Sequence, residues 1–182
     1  MTHLIPSAWM PACPTGPGGI LRLIVHWTGG AGSPETESLA HYHYCIDRVG
    51  LPRRGDHPVT DNLSIATDDY AAHTRGLNAG SIGLALCGMA GAVPDPFAPG
   101  RFPLTLVQWQ AALIAAADLC VAYQIIPAPK TLLMHCEVEA ALGVPQAGKW
   151  DISVRTWHGP PEYARMTPGE ELRQRVKQLL GG

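Results

Sequence analysis

The sequence is poor in charge: only 15% of its 182 residues are Asp, Glu, Lys or Arg, against roughly 25% in an average globular chain. The two signs nearly cancel, to a formal net charge of −2, so there is no global electrostatic drive toward nucleic acid or an anionic membrane. No Lys or Arg precedes Arg22, and prolines break up MTHLIPSAWMPACPTGPGG; the charged and continuous apolar regions of a signal peptide are both missing. An uninterrupted apolar run of 18 residues is also missing. The nearest candidate, Leu104 to Tyr123, is broken by Gln108, Gln110 and Asp118 and reads as a buried helix, not a membrane span. The five cysteines (Cys13, Cys45, Cys87, Cys120, Cys136) are odd in number, scattered and without a CxxC pair. That excludes a disulfide framework and a four-cysteine zinc site and leaves reduced thiols as the expectation. The chain is expected to be cytoplasmic as synthesised, without signal peptide or stable membrane insertion, and monomeric.

What is present is an ordinary apolar fraction of 46%, together with 20 Gly and 17 Pro, which predicts a loop-rich but well-packed domain. A chain of this length buries about 70% of its unfolded surface and needs no metal or disulfide merely to stay folded. Leu21 to His26 reads as a buried strand with a polar end, followed by a loop of Gly29, Gly30 and Gly32. A short helix over 34–40, a strand over 42–46 and a turn over 47–50 come next. Ser81 to Cys87 is nearly all apolar, the pattern of a strand at the centre of a covered sheet. Residues 88–103 read as a Gly/Pro loop, and Pro103 and Thr105 open a helix that is apolar around most of its circumference. Leu132 to His135 is another short strand, with a short helix over 137–142. Thr167-Pro-Gly-Glu170 is an N-cap signature for a last helix, with Leu172, Val176, Leu179 and Leu180 at helical spacing. Strands alternating with helices give an α/β or α+β domain. The expected division is a Pro/Gly-rich lead over 1–19, a catalytic domain over 20–158, and a C-terminal extension over 159–182 whose helix packs on the domain.

Among the eight histidines, position separates two. His26 and His135 each end an apolar strand, and Asp151 lies in the polar interruption Gly148-Lys-Trp-Asp-Ile152. Two imidazoles and one carboxylate suit a catalytic zinc that keeps a fourth position for water. The spacing forms no local metal motif, and strand-end histidines bonded to backbone remain the alternative at this level.

The ordered set Val25-His-Trp-Thr28, Tyr42-His-Tyr44 with Ile46, Asn78-x-x-Ser81-Ile-Gly-Leu84 with Gly88, Met134-His135 and Lys149-x-Asp151 resembles the zinc-dependent N-acetylmuramoyl-L-alanine amidase family. That family includes phage endolysin amidases and peptidoglycan recognition proteins, and the likeness covers roughly residues 20–155. It implies a central mixed β-sheet flanked by helices, with zinc held by His26, His135 and Asp151. It further implies Tyr42 and Lys149 as catalytic groups at the zinc water and the developing oxyanion. His73 and Asn78 would line the substrate groove, which Trp150 would border. The substrate implied is peptidoglycan, cut between N-acetylmuramic acid and L-alanine by an endolysin acting on the wall after release. A cytosolic recycling amidase and a non-catalytic peptidoglycan-binding module are the rivals. Some cytoplasmic relatives carry a Glu on the third strand, in SIGIELxG, where this chain has Ala85; the family's usual Pro-Gly after the third ligand is here Ile152-Ser153. Cys136 sits next to His135, but neighbouring strand residues point to opposite faces, so a packed thiol is expected there.

Overall fold

The computed structural model describes residues 3–181; Met1 and Thr2 of the expected lead segment and Gly182 of the expected extension lie outside the described residues. A five-stranded mixed sheet is formed by β1 (Arg22–Trp27), β2 (Tyr44–Ile46), β3 (Pro52–Arg54), β4 (Ser81–Leu86) and β7 (Leu132–Met134), in the order β3-β2-β4-β1-β7. All neighbours are parallel except β3, which runs antiparallel to β2 at one edge. The apolar strand β4 lies at the centre, as its composition requires. The expected loop over 88–103 contains a small hairpin, β5 (Val93–Pro94) with β6 (Phe97–Ala98). Its two-residue strands are exposed, so they carry no alternation that a sequence reading could detect.

Side-chain alternation divides the sheet into two faces. Leu23, Val25 and Trp27 of β1, with Ile82, Leu84 and Leu86 of β4, join the main core. Ile24 points the other way, packing with Leu133 and Val138, and His26 shares that second face. Against the main face lies α2 (Leu106–Ala122). Thr105 and Gln108 close a reciprocal capping box at its start. Gln108 then spends its amide on the carbonyls of Ile46 and Cys87, at 2.9 and 2.8 Å. Asp118, the other polar interruption, accepts from the backbone N–H groups of Leu4 and Ile5 at 2.7 and 2.9 Å. That bond ties the N-terminal segment to the helix, and Ile5 is buried with the core. Among the described residues no helix is long and apolar enough to cross a membrane.

The helix α4 (Pro168–Leu179) packs on α2 and β7. Arg173 forks onto Glu137 at 2.8 and 2.9 Å, and the same carboxylate accepts from the Met134 N–H at 2.9 Å. A Cβ at position 169 would lie 2.3 Å from Glu137 Oε1, so only glycine lets the first turn of the helix come so close. Glu171 is fully buried and accepts from Trp109 Nε1, Arg155 Nε and Arg175 Nη1 at 2.9, 2.9 and 3.2 Å.

Two outcomes test this packing. Removing one partner of a buried ion pair strands the rest, so Glu171→Ala should cost about 3 kcal/mol in denaturant unfolding; a loss below about 1 kcal/mol would deny the cluster that role. His43 lies under the sheet with Nδ1 accepting from the Gly83 N–H at 2.9 Å, and burial pushes its pKa down to about 3. A histidine depressed in the folded state contributes fully above its unfolded value of about 6.5, and that stability drains as pH falls from there toward 3. With a chelator present, the melting midpoint should drop between pH 6.5 and 5, and His43→Asn should flatten the slope. A midpoint independent of pH across that window would contradict the buried neutral imidazole.

Candidate metal centre

Register brings the two histidines together. β1 and β7 pair in parallel with Val25 opposite Met134, so His26 and His135 leave neighbouring strands side by side. His135 already belongs to a single 3-10 turn, His135–Glu137, which leads into α3 (Val138–Leu142). Asp151 arrives from a loop stitched to that turn, for its carbonyl accepts from the Cys136 N–H at 2.7 Å. The following Ile152 is buried in the main core and anchors the loop from the other side.

The three side chains converge. His26 Nδ1 lies 3.0 Å from His135 Nδ1 and 3.1 Å from Asp151 Oδ2, and His135 Nδ1 is 3.1 Å from the same oxygen. All three residues are buried. The far side of His135 fixes its tautomer. Gln146 spends its amide N–H groups on the carbonyls of Arg75 and Val144, at 3.0 and 3.2 Å. Its Oε1 must therefore accept from His135 Nε2, 2.9 Å away, leaving the Nδ1 lone pair turned inward. Tetrahedral zinc with bonds of about 2.0–2.1 Å places its ligands about 3.3 Å apart. The observed triangle fits that spacing within a few tenths of an ångström, and its donor set is one zinc favours.

Burial brings the His26 imidazole down to about 4, against the raising effect of Asp151. It is thus neutral and able to offer a lone pair at physiological pH. Burial alone would raise the Asp151 carboxyl, but the neighbouring His135 and His26 imidazoles outweigh it and bring the group down to about 2. Cys136 is pushed up to about 12, first by burial and then by Glu137 and Asp151; it stays a thiol and stands outside the ligand triangle.

Tyr42 is not on a strand as expected. Its N–H bonds the Ser38 carbonyl to cap α1 (Thr36–His41), and its ring centroid lies 5.1 Å from that of His26. Burial, reinforced by the charge of Asp151, raises its phenol well above the ordinary value, so it can donate a proton in a hydrogen bond but not accept one as phenolate. It borders a cleft of about 240 Å³ with Thr28, Gly30, Glu35 and Ser38. Lys149 is exposed in the Asp151 loop, and its charge is among those lowering His26. Trp150 is half-buried, its ring 4.5 Å from Trp27 and 6.4 Å from Phe97 on the β5–β6 hairpin.

His73 and Asn78 sit deeper than a groove lining would. His73 is 7% exposed and lies behind His26, with Nδ1 3.3 Å from His26 Nε2. Asn78 accepts from the Thr74 N–H at 2.7 Å and braces the 74–78 turn. Gln146 is the site residue that sequence reasoning missed; a glutamine in a Pro/Gly loop carries no signal of its own. A second group, His57 with Asp61 and Asp69, makes contacts of 3.4 and 3.2 Å, but Asp69 is 82% exposed, and the arrangement is a solvated surface cluster.

Among solved structures, the chain is similar to the endolysin N-acetylmuramoyl-L-alanine amidase LysCS from Clostridium intestinale, at 17% identity and a TM-score of 0.50, covering 91% of this chain and 90% of that one. It also matches the Ph2119 endolysin from a Thermus scotoductus bacteriophage, at 18% identity and 0.42, covering 78% and 85%. The Escherichia coli amidase AmiD, solved with an anhydro-N-acetylmuramic acid peptide substrate, matches at 22% and 0.45, covering 69% and 51%. The first of these likenesses supports the fold. No curated protein matches the sequence. The N-acetylmuramoyl-L-alanine amidase family matches over residues 16–153, a span that contains β1, β4, β7 and the whole triangle of His26, His135 and Asp151, and the chain belongs to that family.

Proposed function

We propose that the protein is a zinc-dependent peptidoglycan amidase of the endolysin type, with His26, His135 and Asp151 as the metal ligands. The observation that carries this reading is the triangle of two inward imidazole nitrogens and one carboxylate oxygen, 3.0–3.1 Å apart. Electron-rich atoms gathered so closely in a buried place call for a cation. When bound, zinc supplies Lewis acidity and a water-derived nucleophile at neutral pH.

This chain's own groups do the rest. Hydrolysis adds water across the amide between the lactyl carbonyl of N-acetylmuramic acid and the L-alanine nitrogen: hydroxyl goes to carbon, the C–N bond breaks, and a proton goes to the departing amine. Charge accumulates on the carbonyl oxygen at the tetrahedral stage. The Lys149 ammonium faces that charge, and Tyr42 donates its phenol proton in a hydrogen bond. In this structure the Tyr42 hydroxyl makes only a 3.4 Å contact to the Trp27 carbonyl, a weak partner readily exchanged for substrate. Trp150 borders the groove, backed by the core residue Trp27 with ring centroids 4.5 Å apart. With Ala85 at the site-facing position opposite His26, β4 offers no glutamate base, which favours the wall-degrading enzyme over a recycling amidase. The reading includes a monomer that acts on wall peptidoglycan after release from the cytoplasm.

Digestion of purified sacculi should expose new alanine amino groups and no new reducing sugars, stop with chelator, and resume with zinc. Preference for soluble anhydromuropeptides over sacculi would favour the recycling role instead. Wall binding with no hydrolysis would indicate a binding module. Lys149→Ala should keep stoichiometric zinc yet lose roughly 100- to 1000-fold in turnover; a near-wild-type rate removes Lys149 from the mechanism. Asp151→Ala should lose the metal itself, measured by elemental analysis after dialysis.

A further inference from the structure

We propose that His73 is a positioning residue for His26, holding the proton of that imidazole on Nε2 so that the Nδ1 lone pair faces His135 and Asp151; the inference rests on the reading of His26 as a metal ligand. Hydrogen-bond direction supports it. His73 Nε2 lies 3.3 Å from the Ser81 carbonyl, which can only accept, so that nitrogen carries the hydrogen. His73 Nδ1 is then an acceptor. Its single lone pair is faced by the Thr74 hydroxyl at 2.9 Å and by His26 Nε2 at 3.3 Å, and Thr74 Oγ1, 3.4 Å from His26 Nε2, has lone pairs of its own. A proton on His26 Nε2 therefore finds an acceptor in His73 Nδ1 or, where the Thr74 hydroxyl takes that lone pair, in Thr74 Oγ1, much as the Nε2–H of His135 finds one in Gln146.

The seat for His73 is built by the fold. A Cβ on Gly83 would lie 2.6 Å from His73 Cγ, so β4 carries glycine where the imidazole lies flat against it. His43 packs edge-on from a neighbouring strand end, ring centroids 5.6 Å apart. The arrangement settles a competition. Asp151 Oδ2, 3.1 Å from His26 Nδ1, draws the ring proton to Nδ1, where it blocks metal binding; His73 draws it to Nε2, where it does not. Partners of this kind typically change metal affinity 10- to 100-fold.

Two measurements test the proposal. Nitrogen-15 imidazole spectra of the metal-free wild-type chain should show His26 with its proton on Nε2, moving to Nδ1 in His73→Leu. Zinc affinity, measured against a competing chromogenic chelator, should fall about 10- to 100-fold in His73→Leu. It should return toward wild type in His73→Gln, whose amide oxygen can again accept. A wild-type His26 protonated on Nδ1, or a His73→Leu affinity within twofold of wild type, overturns the role. Should the leucine variant fail to fold, the wild-type spectrum and the glutamine variant still decide. A wild-type chain that binds no zinc defeats the metal reading itself, whereas tight wild-type binding indifferent to His73 defeats only this inference.

Discussion

The parallel pairing of β1 with β7, in the register that sets Val25 opposite Met134, is the constraint on which the site depends. Both strands are apolar and buried on both faces, so hydrophobic burial fixes the register and the two histidines ride along with it. A slip of one residue would exchange every side chain between faces, sending His26 into the main core and Val25 into the cleft. His26 and His135 thus gain their mutual distance from side chains that take no part in the site.

This explains how far the sequence could be read. The strands expected over 21–26, 81–87 and 132–135 follow from local pattern and stand within a residue of it, at 22–27, 81–86 and 132–134, as do the helix start at Thr105 and the cap at Thr167, although His135 falls just past its strand. The convergence of His26, His135 and Asp151 does not. The residues are 109 and then 16 positions apart, and only the ordered family motifs tied them together before strand register was known. Tyr42 was expected on a strand because its neighbours are strand formers. It instead terminates α1, since its N–H is needed by the Ser38 carbonyl. His73 was expected at the groove, and nothing in Ala-Ala-His-Thr indicates otherwise. Its burial depends on Gly83, ten residues away on another strand.

Low overall charge goes together with economy in the interior. Buried polar groups are matched to partners, among them Asp118 under the N-terminal segment, Glu171 between α2 and α4, and the histidine group on the second sheet face. Among these histidines, His26, His43 and His73 are all held below their ordinary pKa by burial. Neutral imidazoles can be acceptors as well as donors, which a protonated cluster could not be. Burial keeps the imidazoles neutral, and it is their lone pairs beside the Asp151 carboxylate that suit this face to a cation.

The Arg173–Glu137–Met134 connection extends the site beyond the cleft. Glu137 clamps the backbone from which His135 departs and is itself gripped by the last helix, with Gly169 keeping the approach tight. Strain applied to that helix, for instance by a rigid module spliced close behind it, would be transmitted to the turn that carries His135 with no flexible joint between them. Modular engineering of this chain would therefore do better to leave slack on the C-terminal side of α4.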